Sequence, residues 1–60
     1  MSFVKVENYL LNTNEIVVVK QVDYDQFREV YTFYIRFRNE TDMNLTTSLS
    51  LDQLSNQLNN

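Results

Sequence analysis

The clearest pattern in this chain is an alternation of apolar and polar side chains between Arg28 and Arg38. The odd-numbered positions carry Tyr31, Phe33, Ile35 and Phe37. The even-numbered positions carry Arg28, Thr32, Tyr34, Arg36 and Arg38, with Val30 as the one apolar exception. A period of two predicts a β-strand with one face on a core and the other in water.

Two earlier apolar stretches predict two more strands. Residues 3–11 place Val4, Val6 and Leu10 on one side of a single strand. Residues 15–22 contain four β-branched residues in a row, at positions 16–19, which favours a strand over a helix. Because this run is apolar on both faces, we expect a central strand that is covered on both sides.

The chain contains no glycine and no proline, so its turns must be built from other residues. Asn, Asp and Thr tolerate or cap left-handed conformations, and they cluster at residues 12–14, 23–26 and 39–41. These three segments are the predicted turns. We expect Tyr24 or Phe27, near the second turn, to fold over an end of the core.

The third turn also predicts a register. Residues that lie opposite each other in a ladder share a face, so a fourth strand with Met43, Leu45 and Leu49 inside requires an odd-numbered loop. A three-residue loop at 39–41 gives the opposed pairs Phe37–Met43, Ile35–Leu45 and, on the wet face, Arg38–Asp42.

The C-terminal segment predicts a short helix. Ser50 and Gln53 have the spacing of a capping box, and Leu49 and Leu54 that of a hydrophobic staple. Leu51, Leu54 and Leu58 recur at helical spacing. Two turns are too short to be stable alone, so the helix must dock on the sheet.

Together these elements predict one α+β domain over residues 1–60, a small four-stranded antiparallel β-meander with one short C-terminal helix packed on one face. Hairpin strands that end in Ser50-Leu51-Asp52-Gln53-Leu54 resemble the end of LytTR-type DNA-binding domains over about half the chain. Those domains are longer and carry basic DNA-contacting loops that this chain lacks, so the resemblance implies no function here. The composition and small size also look like those of phage or mobile-element products.

Composition excludes several kinds of chemistry. The chain has no cysteine and no histidine, which removes disulfides, thiolate sites, the usual general base and the commonest metal ligand. Without glycine, no glycine-rich phosphate loop can form. The candidate carboxylate pairs, Asp23 with Asp25 and Glu40 with Asp42, lie at predicted turns, where solvated acidic residues are common. We therefore expect no enzymatic activity, no cofactor and no metal, and, without a signal peptide or membrane span, a cytoplasmic location.

The predicted sheet has more apolar surface than one short helix can cover. Phe3, Tyr9 and Leu11 remain on the second face, with either Val17 and Val19 or Ile16 and Val18. Sixty residues also give a marginal core without staples. We therefore expect a homo-oligomer, most simply a two-fold dimer, that binds or regulates a protein partner. The predicted oligomer interface is Phe3, Tyr9, Leu11, Val17 and Val19.

A second hypothesis concerns the wet face of the strand at 28–38. Arginines interleaved with an aromatic ring are typical of single-strand nucleic-acid binding, and Arg28, Tyr34, Arg36 and Arg38 could form such a face. The net charge of −3 argues mildly against it. A third hypothesis is an acidic inhibitor or mimic that uses Asp23, Asp25, Glu40 and Asp42.

Overall fold

The structure, a computed structural model that describes residues 3–59, contains five antiparallel strands and a C-terminal helix. A two-stranded ribbon is formed by β1 (Phe3–Val6) and β2 (Tyr9–Asn12), and a 3-10 helix (Thr13–Glu15) follows it. A three-stranded sheet, in the order β3-β4-β5, is formed by β3 (Ile16–Asp25), β4 (Val30–Phe37) and β5 (Asp42–Thr47). The helix α1 (Leu51–Leu58) comes last. The predicted α+β class is confirmed, whereas the single four-stranded meander is wrong: five strands form two sheets.

The additional strand arises from a turn inside the first predicted strand. Val6 pairs with Tyr9 across a two-residue loop whose first residue, Glu7, has a φ of 54°. A positive φ at the first loop residue alone is the signature of a type II′ hairpin turn. The turn resets the alternation, so Leu11 faces the core, and Leu10, which the sequence placed inside, is exposed.

The strand β3 lies at an edge of its sheet and is not the predicted central strand. Ile16 lies opposite Phe37 and Val19 opposite Ile35, so an extra residue, Val17, interrupts the ladder. A second shift in register surrounds Val22. The bulge at Val17 explains the four β-branched residues in a row, because the extra residue lets Ile16 and Val19 both face the core. Bulges also make an edge strand a poorer template for pairing.

The predicted central alternation is confirmed in β4, where Phe33 and Ile35 are fully buried. The loop to β5 has the predicted three residues but begins one residue earlier, at 38–40. The Phe37 amide donates to the Thr41 carbonyl at 2.9 Å, and the Glu40 amide donates to the Phe37 carbonyl at 3.1 Å. With a φ of 68° at Glu40, this is a type I turn followed by a bulge residue.

The earlier loop corrects the predicted register by two residues. Ile35 pairs with Met43, and Asp42 lies opposite Arg36 where the sequence had predicted Arg38. Because a shift of two residues keeps every side chain on its face, the prediction of which residues point inward survives.

One core lies between the inner face of the three-stranded sheet, the ribbon and α1. Its buried members are Val6, Leu11, Phe33, Ile35, Leu45 and Leu54. The predicted capping box is confirmed: the Gln53 amide donates to Ser50 Oγ at 3.3 Å, and the Ser50 amide donates to Gln53 Oε1 at 2.9 Å. The cap fixes the start of α1 at Leu51. From that start Leu54, the only buried residue among those described in the helix, lies in the core.

A polar contact ties the tip of the ribbon to the end of β5. Thr47, a buried residue, donates its hydroxyl hydrogen to Glu7 Oε2 at 2.6 Å and accepts from the Leu49 amide at 3.3 Å. The two partners are 40 residues apart in sequence, so this contact joins the N-terminal ribbon to the last strand of the three-stranded sheet.

Candidate functional site

The fold buries part of the predicted oligomer interface within the chain and leaves the rest exposed. Leu11 is buried and Val19 packs against the core, so both side chains are already used within the chain. Phe3, Tyr9 and Val17 are about half exposed. Both residues were predicted to lie on the exposed face. Leu11 faces the core because of the β1–β2 turn, and Val19 because of the bulge at Val17.

A groove of about 470 Å³ separates α1 from the start of β3. Its apolar lining comes from Ile16, Val17, Val19, Leu51 and Leu58. Its polar lining comes from Thr13, Asp52, Ser55 and Asn59. Leu51 is 42% exposed, because the helical stripe turns only Leu54 fully into the core. The groove is thus a depression with a mixed apolar and polar lining that includes one carboxylate.

The β3–β4 hairpin presents an aromatic residue at its tip. Phe27 is 91% exposed, the largest exposed fraction among the large apolar side chains described. The Asp25 carboxylate holds the turn, because Oδ1 accepts from the Phe27 amide at 3.0 Å and from the Arg28 amide at 3.2 Å. The tip therefore carries an exposed ring and a cation on a turn with a defined conformation.

Behind the tip, aromatic rings connect the turn to the core. The ring centroids of Tyr24 and Tyr31 are 4.6 Å apart, and those of Tyr31 and Phe33 are 6.2 Å apart. Such contacts add to the stability supplied by burial. Of the two residues that the sequence offered as a cover for the core, Tyr24 makes this contact and Phe27 points into solvent.

The outer face of the three-stranded sheet carries part of the predicted basic cluster. Lys20 Nζ lies 5.9 Å from the centre of the Tyr34 ring, within the range of a cation–π contact. The Tyr34 hydroxyl donates to Asp42 Oδ2 at 3.2 Å. Partial desolvation, followed by the bond and negative charge of Asp42, raises the pKa of Tyr34, while Arg36 lowers it.

The other two arginines of that cluster lie at opposite ends of β4. Arg28 belongs to the β3–β4 turn, and Arg38 to the β4–β5 turn. The strand between these two turns has 8 residues and spans roughly 25 Å. Arg38 also has a structural contact, because its Nε donates to the Asn14 carbonyl at 2.9 Å. Of the four predicted residues, only Tyr34 and Arg36 share the outer face.

Within residues 3–59, no group of three or more acidic side chains could hold a metal ion. No helix in the same range has the length and apolar content needed to cross a membrane. No known family matches. Comparison with curated proteins and with solved structures also finds no match.

Two surface features were not predicted from sequence: the groove and the exposed tip. Leu51 was assigned to the buried helical stripe, and a stripe of three leucines on a two-turn helix does not say which end contacts the sheet. The tip was predicted at residues 23–26, whereas β3 continues to Asp25 and the turn lies at 26–29. The usable signal was Asp25 two residues before Phe27, the spacing of an Asx turn.

Proposed function

We propose that this chain is a small non-enzymatic protein that associates with itself and, in that form, binds or regulates a protein partner. The supporting observation is the amount of apolar surface that the fold leaves in solvent. Among the described residues, the exposed large apolar side chains are Phe3, Tyr9, Leu10, Val17, Val18, Val22, Tyr24, Phe27 and Leu51.

Single exposed apolar side chains are normal, whereas contiguous patches mark interaction sites. Two exposed members of the set, Val17 and Leu51, line the same groove, and Val17 belongs to the interface predicted from sequence. A domain of sixty residues also buries a smaller fraction of its surface than a larger one, so association would add burial that the single chain lacks.

The proposal is tested by the mass of the protein in solution. Sedimentation equilibrium and light scattering from about 1 to 100 μM should give a mass that rises toward twice 7.2 kDa. The melting temperature should rise over the same series, because association stabilises the folded state by mass action. A folded monomer at the highest concentration, with a melting temperature independent of concentration, would refute self-association.

A second candidate function, nucleic-acid binding on the outer sheet face, is favoured by one observation. On that face Lys20 lies opposite Tyr34 across the β3–β4 ladder, and Arg36 lies two residues further along β4, which combines charge with a ring for base stacking. Fluorescence anisotropy with single-stranded DNA and RNA at low salt tests this. Binding should weaken as the salt concentration rises. The slope of the logarithm of the binding constant against the logarithm of salt concentration should become shallower by about one in Arg36→Gln and remain unchanged in Arg28→Gln. No binding at low salt would end this candidate.

A further inference from the structure

The two edge strands of the three-stranded sheet differ in how well they are protected against pairing with another strand. The register of β3 is interrupted at Val17 and at Val22. The strand β5 pairs with β4 through an unbroken register over all of its 6 residues. These residues include no proline, lysine or arginine. Because bulges, proline and lysine commonly protect an exposed edge, β5 is the less protected of the two.

The turn before β5 shows which of its backbone groups face the free edge. The Phe37 amide donates to the Thr41 carbonyl, so the backbone of Phe37 faces β5. Since alternate residues of a strand direct their backbone groups to the same side, Ile35 and the opposite residue Met43 bond to each other. The alternate residues of β5 direct their amides and carbonyls to the free edge, and these are Asp42, Asn44 and Thr46. No backbone hydrogen bond between described residues reaches this edge.

The side chains of β5 leave this backbone edge open. Asp42 Oδ2 accepts a hydrogen bond from the Tyr34 hydroxyl at 3.2 Å, and Thr46 Oγ1 lies 3.2 Å from Thr32 Oγ1. Both contacts draw the side chain toward β4 and away from the free edge. Asp42 is the only charged residue in β5, so the one charge of the strand lies on the side of β4. The edge is therefore a template for one more antiparallel strand.

The sequence of β5 is compatible with pairing to itself about a two-fold axis. With the axis at Asn44, the opposed pairs are Asn44–Asn44, Asp42–Thr46 and Met43–Leu45. The two members of each pair belong to the same face of the sheet, as opposite residues must. Met43, which is half-buried in one copy, gains a contact with Leu45 of the other. The two Asp42 residues are offset by about 13 Å along the seam, which exceeds the Debye length at physiological ionic strength.

We propose that the free edge of β5 is the docking site for β5 of a second copy of this chain. In the resulting two-fold dimer the two three-stranded sheets form one continuous sheet. The outward amides and carbonyls of Asp42, Asn44 and Thr46 all find partners across the seam. This inference rests on the proposed self-association and assigns it to a backbone edge, separate from the groove beside α1.

The first test is cross-linking through a single cysteine. The chain has no native cysteine, so a disulfide in a single-cysteine variant joins two copies. An axis at residue 44 places the two Cα atoms of that position about 5.5 Å apart, within the range of a disulfide. Asn44→Cys should therefore convert most of the protein to a covalent dimer under mild oxidation with copper phenanthroline. Thr46→Cys is the matched control on the same strand and face, because its two copies are offset by about 13 Å and should cross-link only slowly.

The second test measures the dimer dissociation constant by sedimentation equilibrium. Asn44→Lys places two like charges directly opposite each other at the axis and should raise the constant at least about tenfold. Val18→Lys adds the same charge on the outer face of β3, at the other edge of the sheet, and should leave the constant unchanged. Asn44→Asp should weaken the dimer as Asn44→Lys does, whereas a mixture of the two variants should form a hetero-dimer. Circular dichroism checks that every variant is folded, as expected for exposed positions.

The outcomes separate this inference from the proposed function. Fast cross-linking of Asn44→Cys, with a dimer that is weakened in Asn44→Lys and unchanged in Val18→Lys, would confirm the β5 interface. A dimer that persists in Asn44→Lys, with equal cross-linking of Asn44→Cys and Thr46→Cys, would refute this interface while leaving self-association intact. A wild-type protein that remains monomeric at about 100 μM would refute both.

Discussion

Replacement of Glu40 by glycine should stabilise this protein. Glu40 occupies the left-handed region, with a φ of 68°, at the bulge position of the β4–β5 turn. A residue with a Cβ pays about 1–2 kcal/mol there, and glycine avoids that cost. Glycine loses about 0.5–1 kcal/mol more conformational entropy on folding. The difference predicts a net gain of about 0.5–1 kcal/mol for Glu40→Gly.

The assay is thermal and urea unfolding followed by circular dichroism at a fixed protein concentration. For a domain of this size the gain corresponds to a rise in melting temperature of about 2–8 °C. Two controls isolate the backbone as the cause. Glu40→Ala removes the carboxylate but keeps the Cβ, so it should change stability by less than about 0.5 kcal/mol. Glu15→Gly, outside the left-handed region, should lower stability by about 0.5–1 kcal/mol.

The reasoning would be refuted if Glu40→Gly were neutral or destabilising, or if Glu40→Ala gave the same gain. In the second case the loss of a negative charge, and not the relief of the turn, would be the cause. Glu29, with a φ of 55°, should behave like Glu40.

Three further substitutions test the core, the Thr47–Glu7 hydrogen bond and the outer face of the three-stranded sheet. Leu54→Ala should cost about 2–5 kcal/mol in urea unfolding, because Leu54 is fully buried where helix, ribbon and sheet meet. Thr47→Val should cost about 1–2 kcal/mol by the same assay, because it removes the hydroxyl that donates to Glu7; a neutral result would mean that water replaces the bond. The raised pKa of Tyr34 means that the folded state holds the phenol proton more tightly than the unfolded state does. The stability that this difference contributes is complete below about pH 10 and is lost as pH rises through the higher pKa of the folded state. Stability should therefore fall less steeply above pH 10 in Tyr34→Phe than in the wild type, as urea midpoints across that range would show.

The parts of the fold that could be predicted are those where pattern and chemistry agree. The alternation in β4 predicted which side chains are buried, and the Ser50–Gln53 spacing predicted the capping box, because both depend on local periodicity or on local hydrogen bonds. The register of β5 was predicted only to within an even shift, since an even shift preserves the inward face. The choice between registers depended on the left-handed conformation of Glu40, which its residue type does not indicate.

The break between β1 and β2 was missed for the same reason. Glu7, Glu29 and Glu40 are the positive-φ residues among those described, whereas the prediction assigned turns to Asn, Asp and Thr. In a chain without glycine, the left-handed positions fall on residues whose type carries no turn signal. The two sheets, the edge position of β3 and the division of the predicted interface all follow from one missed turn and two bulges.

The attachment of the β1–β2 ribbon has a consequence for how the molecule opens. The ribbon forms its own sheet, and its contribution to the core comes from Val6 and Leu11, with the Thr47–Glu7 bond at its tip. A segment held by side chains and not by a shared backbone ladder can detach as a unit at a lower free energy than global unfolding. Native-state hydrogen exchange should therefore show residues 3–12 exchanging together, ahead of β4, and each such excursion would bare Phe33 and Ile35 to water.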